Sequence, residues 1–241
     1  MSGTLYIVAT PIGNLEDITL RALNTLKAVD LIACEDTRQT LKLLRHYHIP
    51  EKPLVAYHNF NERSATERLI AELLQGKSVA LVSDAGTPTL SDPGFFLVRT
   101  AYQKRIRVVP IAGISALTAA ICVSPIPIRH FYFEGFLPQK KGRLTRLKHL
   151  ASLGSTVVLY ESPHRILKLL NELAEHFGNP TVMLARELTK VYEEILIGSA
   201  TELKTQLSSK KILGEFVVIV HSEPSSNDFS EDDSTQSDDN S

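Results

Sequence analysis

The stretch V-A-L-V-S-D-A-G-T-P-T-L-S-D-P-G, residues 79–94, decides how this chain is read. Val79, Ala80, Leu81 and Val82 form the short apolar run expected of a buried parallel strand. The run stops at Ser83-Asp84. A loop follows with Gly86, Pro88, Pro93 and Gly94, the carboxylates Asp84 and Asp92, and hydroxyls at Ser83, Thr87, Thr89 and Ser91. A helix-like segment, Phe95 to Arg105, comes next. Ligands of open α/β sheets bind outside the carboxyl ends of the strands, so a polar loop fixed by glycine and proline there is a candidate small-molecule site. The plainer reading is a rigid turn whose Asp and Ser only cap a helix.

The same strand–loop–helix unit recurs to either side. Thr4–Thr10 reads as a strand ending in T-P-I-G-N-L (Thr10 to Leu15), with Ile18, Leu20, Leu23, Leu26 and Val29 as the helical stripe behind it. Leu31–Cys34 ends in E-D-T-R (Glu35 to Arg38), before a helix with Leu41, Leu43 and Leu44. Two acids at a strand end are costly to bury without a purpose. They point to substrate contact or proton handling, or else to a helix start capped by Asp36 or Thr37. Leu54–Tyr57 ends in H-N-F-N-E (His58 to Glu62), which puts His58 at the same end of a strand as Glu35 and Asp84. Arg107–Pro110 runs into P-I-A-G-I-S-A (Pro110 to Ala116). Five strands alternating with four helices predict a parallel sheet. Neither G-x-G-x-x-G nor a Walker A loop is present.

Composition shifts after Pro127. F-Y-F-E-G-F-L-P, from Phe131, reads as an aromatic strand. Lys140, Lys141, Arg143, Arg146, Lys148 and His149 then form the densest basic cluster, fit to contact phosphates or to face solvent. Strands are expected at Thr156–Tyr160, Thr181–Ala185 and Phe216–Val220, with Glu193 and Glu194 in a further strand or hairpin. The chain therefore reads as a mainly parallel N-terminal α/β domain, 1–116, a mixed-sheet C-terminal α/β domain, 117–222, and an acidic tail, 223–241.

At 241 residues and 43% apolar composition the chain can bury proper cores. Cys34 and Cys122 are spaced for neither a zinc site nor a redox pair and read as reduced thiols of a cytoplasmic protein. Met1 to Thr10 lacks signal-peptide character. The longest apolar stretch, Ile111 to Ile128, is broken by Gly113, Pro125 and Pro127, so no membrane span is expected. The formal charge of −1 hides an asymmetry: seven of the 27 acids lie from Glu223 onward, so 26 bases face 20 acids before it, a formal +6. A basic body suits a polyanionic partner. The Ser/Asp/Asn-rich tail cannot bury a core and is expected to be disordered.

Eight motifs occur in order from Thr10 to Phe216: T-P-I-G-N-L, E-D-T-R, S-D-A-G-T-P-x-x-S-D-P-G, P-I-A-G-I-S-A, G-F-L-P-x-K-x-x-R, Y-E-S-P-H-R, A-R-E-L-T-K and G-E-F. On these the chain resembles the ribosomal RNA small subunit methyltransferase I family, within the tetrapyrrole methylase superfamily. The resemblance implies S-adenosylmethionine as methyl donor and a decoding-region cytidine of 16S rRNA in the small ribosomal subunit as acceptor, methylated on its 2′-hydroxyl. It also implies a homodimer of two-domain α/β subunits, with the donor in the cleft between the domains. Carried over residue by residue, donor contacts fall at Pro11, Asp84, Ala85, Gly86, Thr87, Ser91, Asp92, Ser115 and Ala116. Tyr160, Ala185, Leu213 and Gly214 are implied for the adenosine pocket. Small-molecule members of the superfamily carry glycine where this chain has Ser83 and lack E-D-T-R and G-F-L-P-x-K.

The chemistry this implies is an in-line displacement at a sulfonium-activated carbon, which needs alignment and exclusion of water rather than a metal. A base can assist the weakly nucleophilic hydroxyl, and Glu35, Asp36 and His58 are the candidates. Arg38, Lys140, Lys141 and Arg143 are expected on backbone phosphates, and Asn59 and Arg186 on the ribose or base. A flipped-out or single-stranded nucleotide is expected, since a stacked cytidine would not enter a cleft. Two other readings compete with this one. A tetrapyrrole-type small-molecule methyltransferase is disfavoured by the basic body. A non-catalytic RNA-binding assembly factor is disfavoured by the intact Asp84-Ala85-Gly86-Thr87-Pro88 run.

Overall fold

A computed structural model of the chain describes residues 2–222. The tail expected at 223–241 lies outside the described residues. Two compact units are present among the described residues: residues 2–123 with Ala185–Ile195, and Ser124–Leu184 with residues 196–222.

The first unit carries β1 (Thr4–Val8), α1 (Leu20–Ala28), β2 (Leu31–Cys34), α2 (Thr37–His46), β3 (Leu54–Ala56), α3 (Glu62–Leu74), β4 (Val79–Val82), α4 (Phe95–Gln103), β5 (Arg107–Ile111) and α5 (Ala116–Ile121). The strands pair in the order β3-β2-β4-β1-β5, and each neighbouring pair is parallel. Side chains alternate across such a sheet, so each strand feeds two cores. Leu5, Ala33, Val79 and Leu81 pack with Leu69 and Leu73 of α3 and Leu97 of α4. Val8, Ile32, Cys34, Ala80 and Val82 pack with Ala22 and Leu26 of α1 and Leu44 of α2. Burial on both faces explains the unbroken apolar runs.

This topology positions the site. Parallel strands bring all five carboxyl ends to one edge. The loops after β1 and β2 lead to helices on one face, whereas the loop after β4, between them, leads to the other. That reversal opens a crevice at the end of β4.

The second unit carries β6 (Phe131–Phe136), α6 (Arg143–Ala151), β7 (Thr156–Glu161), α7 (Ile166–His176), β8 (Thr181–Arg186), β9 (Glu194–Ser199), α8 (Ala200–Ser208) and β10 (Phe216–His221). Its sheet order is β6-β7-β10-β8-β9. β6 and β7 run parallel and β7 and β10 antiparallel, so the sheet is mixed. Leu147 and Leu150 of α6, Leu169 and Leu173 of α7 and Leu203 and Leu207 of α8 pack over Leu159, Leu184 and Val218. α8 opens with a reciprocal cap between Ser199 and Glu202, which the pair S-x-x-E encodes directly. Among the described residues no helix is long and apolar enough to cross a membrane.

Candidate active site

The first strand stops at Val8, two residues before the expected Thr10, because Thr10 leaves the sheet to pair elsewhere. Thr10 and Gly86 form an antiparallel bridge. The Thr10 hydroxyl donates to the Ser83 carbonyl at 3.0 Å, and the Ser83 hydroxyl donates to the Gly86 carbonyl at 3.1 Å. The Thr87 hydroxyl donates to the Ile114 carbonyl at 3.2 Å, tying the loop after β4 to the loop after β5. Gly86 takes φ +87°, a conformation open to glycine. Thr89 and Ser91 also have positive φ without being glycine. Such strain persists where surrounding structure enforces it, and it clusters at functional sites. Here the enforcement comes partly from Glu62, whose carboxylate accepts the Gly94 N–H at 3.2 Å and the Tyr57 hydroxyl at 3.0 Å.

Within this framework a pocket of about 550 Å³ opens at the ends of β1 and β4. Its walls come from Pro11, Ile12, Gly13 and Leu15 after β1, from Ser83, Asp84 and Ala85 after β4, and from Gln39, Thr40, Lys42, Leu43 and His46 of α2. Apolar walls with a few convergent polar groups suit a small organic ligand. Pro11, Asp84 and Ala85 of the expected donor set meet here. Gly86 stands behind them in the bridge. Thr87, Ser91 and Asp92 sit on the loop after β4, Ser115 ends the loop after β5 and Ala116 opens α5; none of them is among the lining residues, and Ser115 caps α5 by accepting the Thr118 N–H at 3.2 Å. The wall from α2 is one that no motif indicates. Gln39, Lys42 and His46 share one helical face at i, i+3 and i+7, opposite the buried Leu44, and that polar stripe is the signal that could have found them.

The three candidate bases differ sharply. Asp36 caps α2, accepting the Arg38 N–H at 2.8 Å, and pairs with the Arg38 guanidinium at 2.7 Å. These bonds lower its pKa to about 2. Asp36 thus serves as a helix cap, and the bonds that hold it there make it a weaker proton acceptor than Glu35. Arg38, expected on phosphate, points into solvent from that pair. Glu35 is half-buried, and burial, then the nearby Asp84 carboxylate, push its pKa up, with His58 opposing. Asp84 Oδ1 accepts the Asp36 N–H at 3.0 Å, which draws the ends of β2 and β4 together. His58 donates its backbone N–H to Asn61 Oδ1 at 2.8 Å, while its buried Nδ1 has no hydrogen-bond partner among the described residues. Asn59 follows it, exposed.

The remaining candidates lie between Lys140 and Gly214 in the sequence. Ala185 is buried near the end of β8. Arg186 pairs with Glu194 at 3.0 Å. Tyr160 meets the rings of Phe133 and Phe136 edge-on at 5.2 and 5.5 Å. Leu213 is exposed, and Gly214 follows with φ +84°. Lys140 and Lys141 are exposed on the turn before α6. Arg143 is not: its side chain is 4% exposed, paired with Glu172 at 2.7 Å and with Glu161 at 3.5 Å. It also donates to the Pro138 carbonyl at 3.2 Å. Arg143 anchors α6 to α7 and β7, so it is withdrawn as a phosphate contact. Arg146 likewise binds Glu134, at 2.5 Å. The basic cluster therefore divides into ion-paired arginines, of which Arg143 is buried, and exposed lysines.

Comparison with known proteins brings these features together. The family profile described as Tetrapyrrole (Corrin/Porphyrin) Methylases matches residues 4–204. Ribosomal RNA small subunit methyltransferase I of Xylella fastidiosa (strain Temecula1) is 51% identical over 222 residues, spanning 90% of this chain and 81% of that protein. The protein of the same name from Thermotoga maritima is 46% identical over 218 residues, spanning 90% of this chain and 98% of its own length. Among solved structures, the uroporphyrin-III C-methyl transferase of Thermus thermophilus complexed with S-adenyl homocysteine aligns at a TM-score of 0.65. That alignment covers 91% of this chain and 97% of the other at 17% identity, which speaks to the fold alone.

Proposed function

The chain belongs to the ribosomal RNA small subunit methyltransferase I family of tetrapyrrole methylases, and from that premise we propose that it methylates the 2′-hydroxyl of a decoding-region cytidine in 16S rRNA, with S-adenosylmethionine as donor. The observation that carries the proposal is the convergence of Pro11, Asp84 and Ala85 on one pocket beside the half-buried Glu35.

The residues present fit such a donor. The pocket volume lies within the range of small-molecule sites, roughly 300–1,000 Å³. The apolar walls from Ile12, Leu15 and Leu43 can take the flat or aliphatic parts of the molecule, and the Asp84 carboxylate can pair with a cationic part. The donor supplies an electrophilic methyl carbon on a sulfonium, already activated, so the reaction asks for no metal. In our reading the protein aligns and desolvates the reacting atoms. Glu35 receives the proton of the 2′-hydroxyl as the oxygen attacks carbon and the carbon–sulfur bond breaks. Its raised pKa makes it a better proton acceptor than an ordinary carboxylate. Lys140 and Lys141 offer exposed cations to the RNA backbone. The proposal includes Ser115, Ala116, Tyr160, Leu213 and Gly214 as further donor contacts, a homodimer and a cytoplasmic setting.

The deciding experiment is transfer of labelled methyl from S-adenosylmethionine to small ribosomal subunits lacking the modification, followed by mapping of the labelled nucleotide. Label on a cytidine 2′-oxygen of the decoding region is expected. Absence of label on both subunits and naked rRNA overturns the RNA assignment.

A further inference from the structure

Phe60 presents its ring to solvent with 98% of its surface exposed. Aromatic side chains are mostly buried, and water around a phenyl ring is unfavourable. The exposure does not come from a slack loop. Asn61 locks the turn after β3 through both ends of its amide: Oδ1 accepts the His58 N–H at 2.8 Å and Nδ2 donates to the Ala56 carbonyl at 2.9 Å. The Asn61 N–H then donates to the His58 carbonyl at 3.0 Å, closing the turn behind Phe60. The backbone that bears the ring is thus fixed by this turn. Its aromatic neighbour is His58, 6.1 Å away between centroids and tilted by 62°. His58 and Asp84 both act on the Glu35 carboxyl, so Phe60 stands at the rim of the acid–histidine cluster.

We propose that Phe60 is the stacking platform for the base of the target nucleotide, setting its ribose over the Glu35–His58 cluster. The inference rests on the rRNA methyltransferase reading above and adds to it how the acceptor is placed. A phenyl ring offers a base a π-face without hydrogen bonds, which suits holding an unpaired nucleotide in place rather than reading its identity. Rigid presentation matters because a stack that positions a hydroxyl must not move with the base. Phe60 is a positioning residue; proton transfer stays with Glu35.

The test compares Phe60→Ala, Phe60→Leu, Phe60→Tyr and Phe60→Trp in the full chain. Methyl transfer to unmodified small subunits gives kcat and KM, and calorimetry gives donor affinity. Removal of one base stack predicts a fall in kcat/KM of about 5- to 160-fold for the Ala and Leu variants. The Tyr and Trp variants should remain close to wild type, and donor affinity should not change in any of the four. Equal kcat/KM in wild type and Phe60→Ala overturns the proposal. So does full activity in Phe60→Leu, which would mean simple apolar contact, or a parallel drop in donor affinity, which would mean a structural role. A second measurement separates this inference from the rRNA assignment. A short single-stranded RNA carrying a fluorescent cytidine analogue should be quenched on binding to wild type and not to Phe60→Ala. No transfer to rRNA, with Phe60-dependent quenching retained, sinks the assignment and keeps the stack. Quenching that ignores Phe60, or is absent in wild type, sinks the stack.

Discussion

Thr10 and Gly86 each donate a backbone N–H to the other's carbonyl, at 2.8 and 2.9 Å, so two loops 76 residues apart in sequence are joined as one short ladder. The bridge sets where Pro11 and Ala85 stand, because each is the immediate neighbour of a bridged residue. It makes the pocket a property of backbone pairing rather than of side-chain packing alone.

Gly86→Ala tests that bridge. An L residue at φ +87° carries a backbone penalty of about 1–2 kcal/mol. The new Cβ would also meet Ile12 Cγ2 at 3.3 Å, crowding a pocket wall. Denaturant unfolding should show a destabilisation of that size, and calorimetry should show weaker donor binding. Unchanged donor affinity would mean that the bridge does not shape the donor site.

Asp84→Ala separates binding from stability. Asp84 is exposed, and its carboxylate accepts the Asp36 N–H. Removing it should change stability by no more than about 1 kcal/mol, the value of one hydrogen bond. Donor affinity should fall at least about tenfold, the equivalent of roughly 1.4 kcal/mol. Retained affinity would remove Asp84 from the donor site.

The Glu35 carboxyl makes the rate depend on pH. Burial and Asp84 raise its pKa above the usual 4.5, so the acid limb of the rate profile should lie above the ordinary carboxylate range. Glu35→Gln should abolish that limb together with most of the activity, and Asp84→Asn should move it to lower pH by removing a negative neighbour. The stability effect has a definite sign. A folded pKa above the unfolded one gives stabilisation that is fully present below the unfolded pKa and is lost as pH rises through the folded value. Glu35→Gln should therefore be relatively more stable than wild type at neutral pH than at pH 4. A limb unmoved by Glu35→Gln would assign the proton to another group.

Much of this is legible in the sequence, for reasons that differ between the two units. Apolar runs such as Val79–Val82 show a strand buried on both faces, and the alternation of such runs with helical stripes dictates a parallel sheet with its loops on one edge. Glu35, His58 and Asp84 can be grouped by that rule alone. What one residue type does once folded is less visible. Arg143 and Lys140 look alike in a basic run, yet Arg143 is drawn inward by Glu161 and Glu172, both distant in sequence. Asp36 and Glu35 are adjacent acids, yet one caps a helix N-terminus and the other is half-buried beside Asp84 and His58. The lining from α2 is hard to read because its residues are polar, spaced helically and separated from any motif.

The basic cluster gives the last prediction, with opposite readouts for neighbouring residues. Glu161 is fully buried between Arg143 at 3.5 Å and Arg165 at 2.8 Å. Arg143→Ala removes the guanidinium that pairs with Glu172 and one of the two cations facing Glu161, which keeps Arg165. Hydrogen bonds to charged groups are worth about 1.5–3 kcal/mol, so stability should fall by about that much in denaturant melts. At temperatures where it remains folded, the salt dependence of its RNA binding should match wild type, since Arg143 offers no cation to solvent. The double variant Lys140→Ala, Lys141→Ala should do the reverse. Its melt should be unchanged, and the slope of log K against log salt should flatten by about 0.7 for each phosphate of a single strand that is no longer neutralised. Both variants should bind donor as wild type does. A flattened slope in Arg143→Ala would restore that residue to the RNA surface, whereas an unchanged slope in the lysine double variant would leave Lys140 and Lys141 as solvated charges.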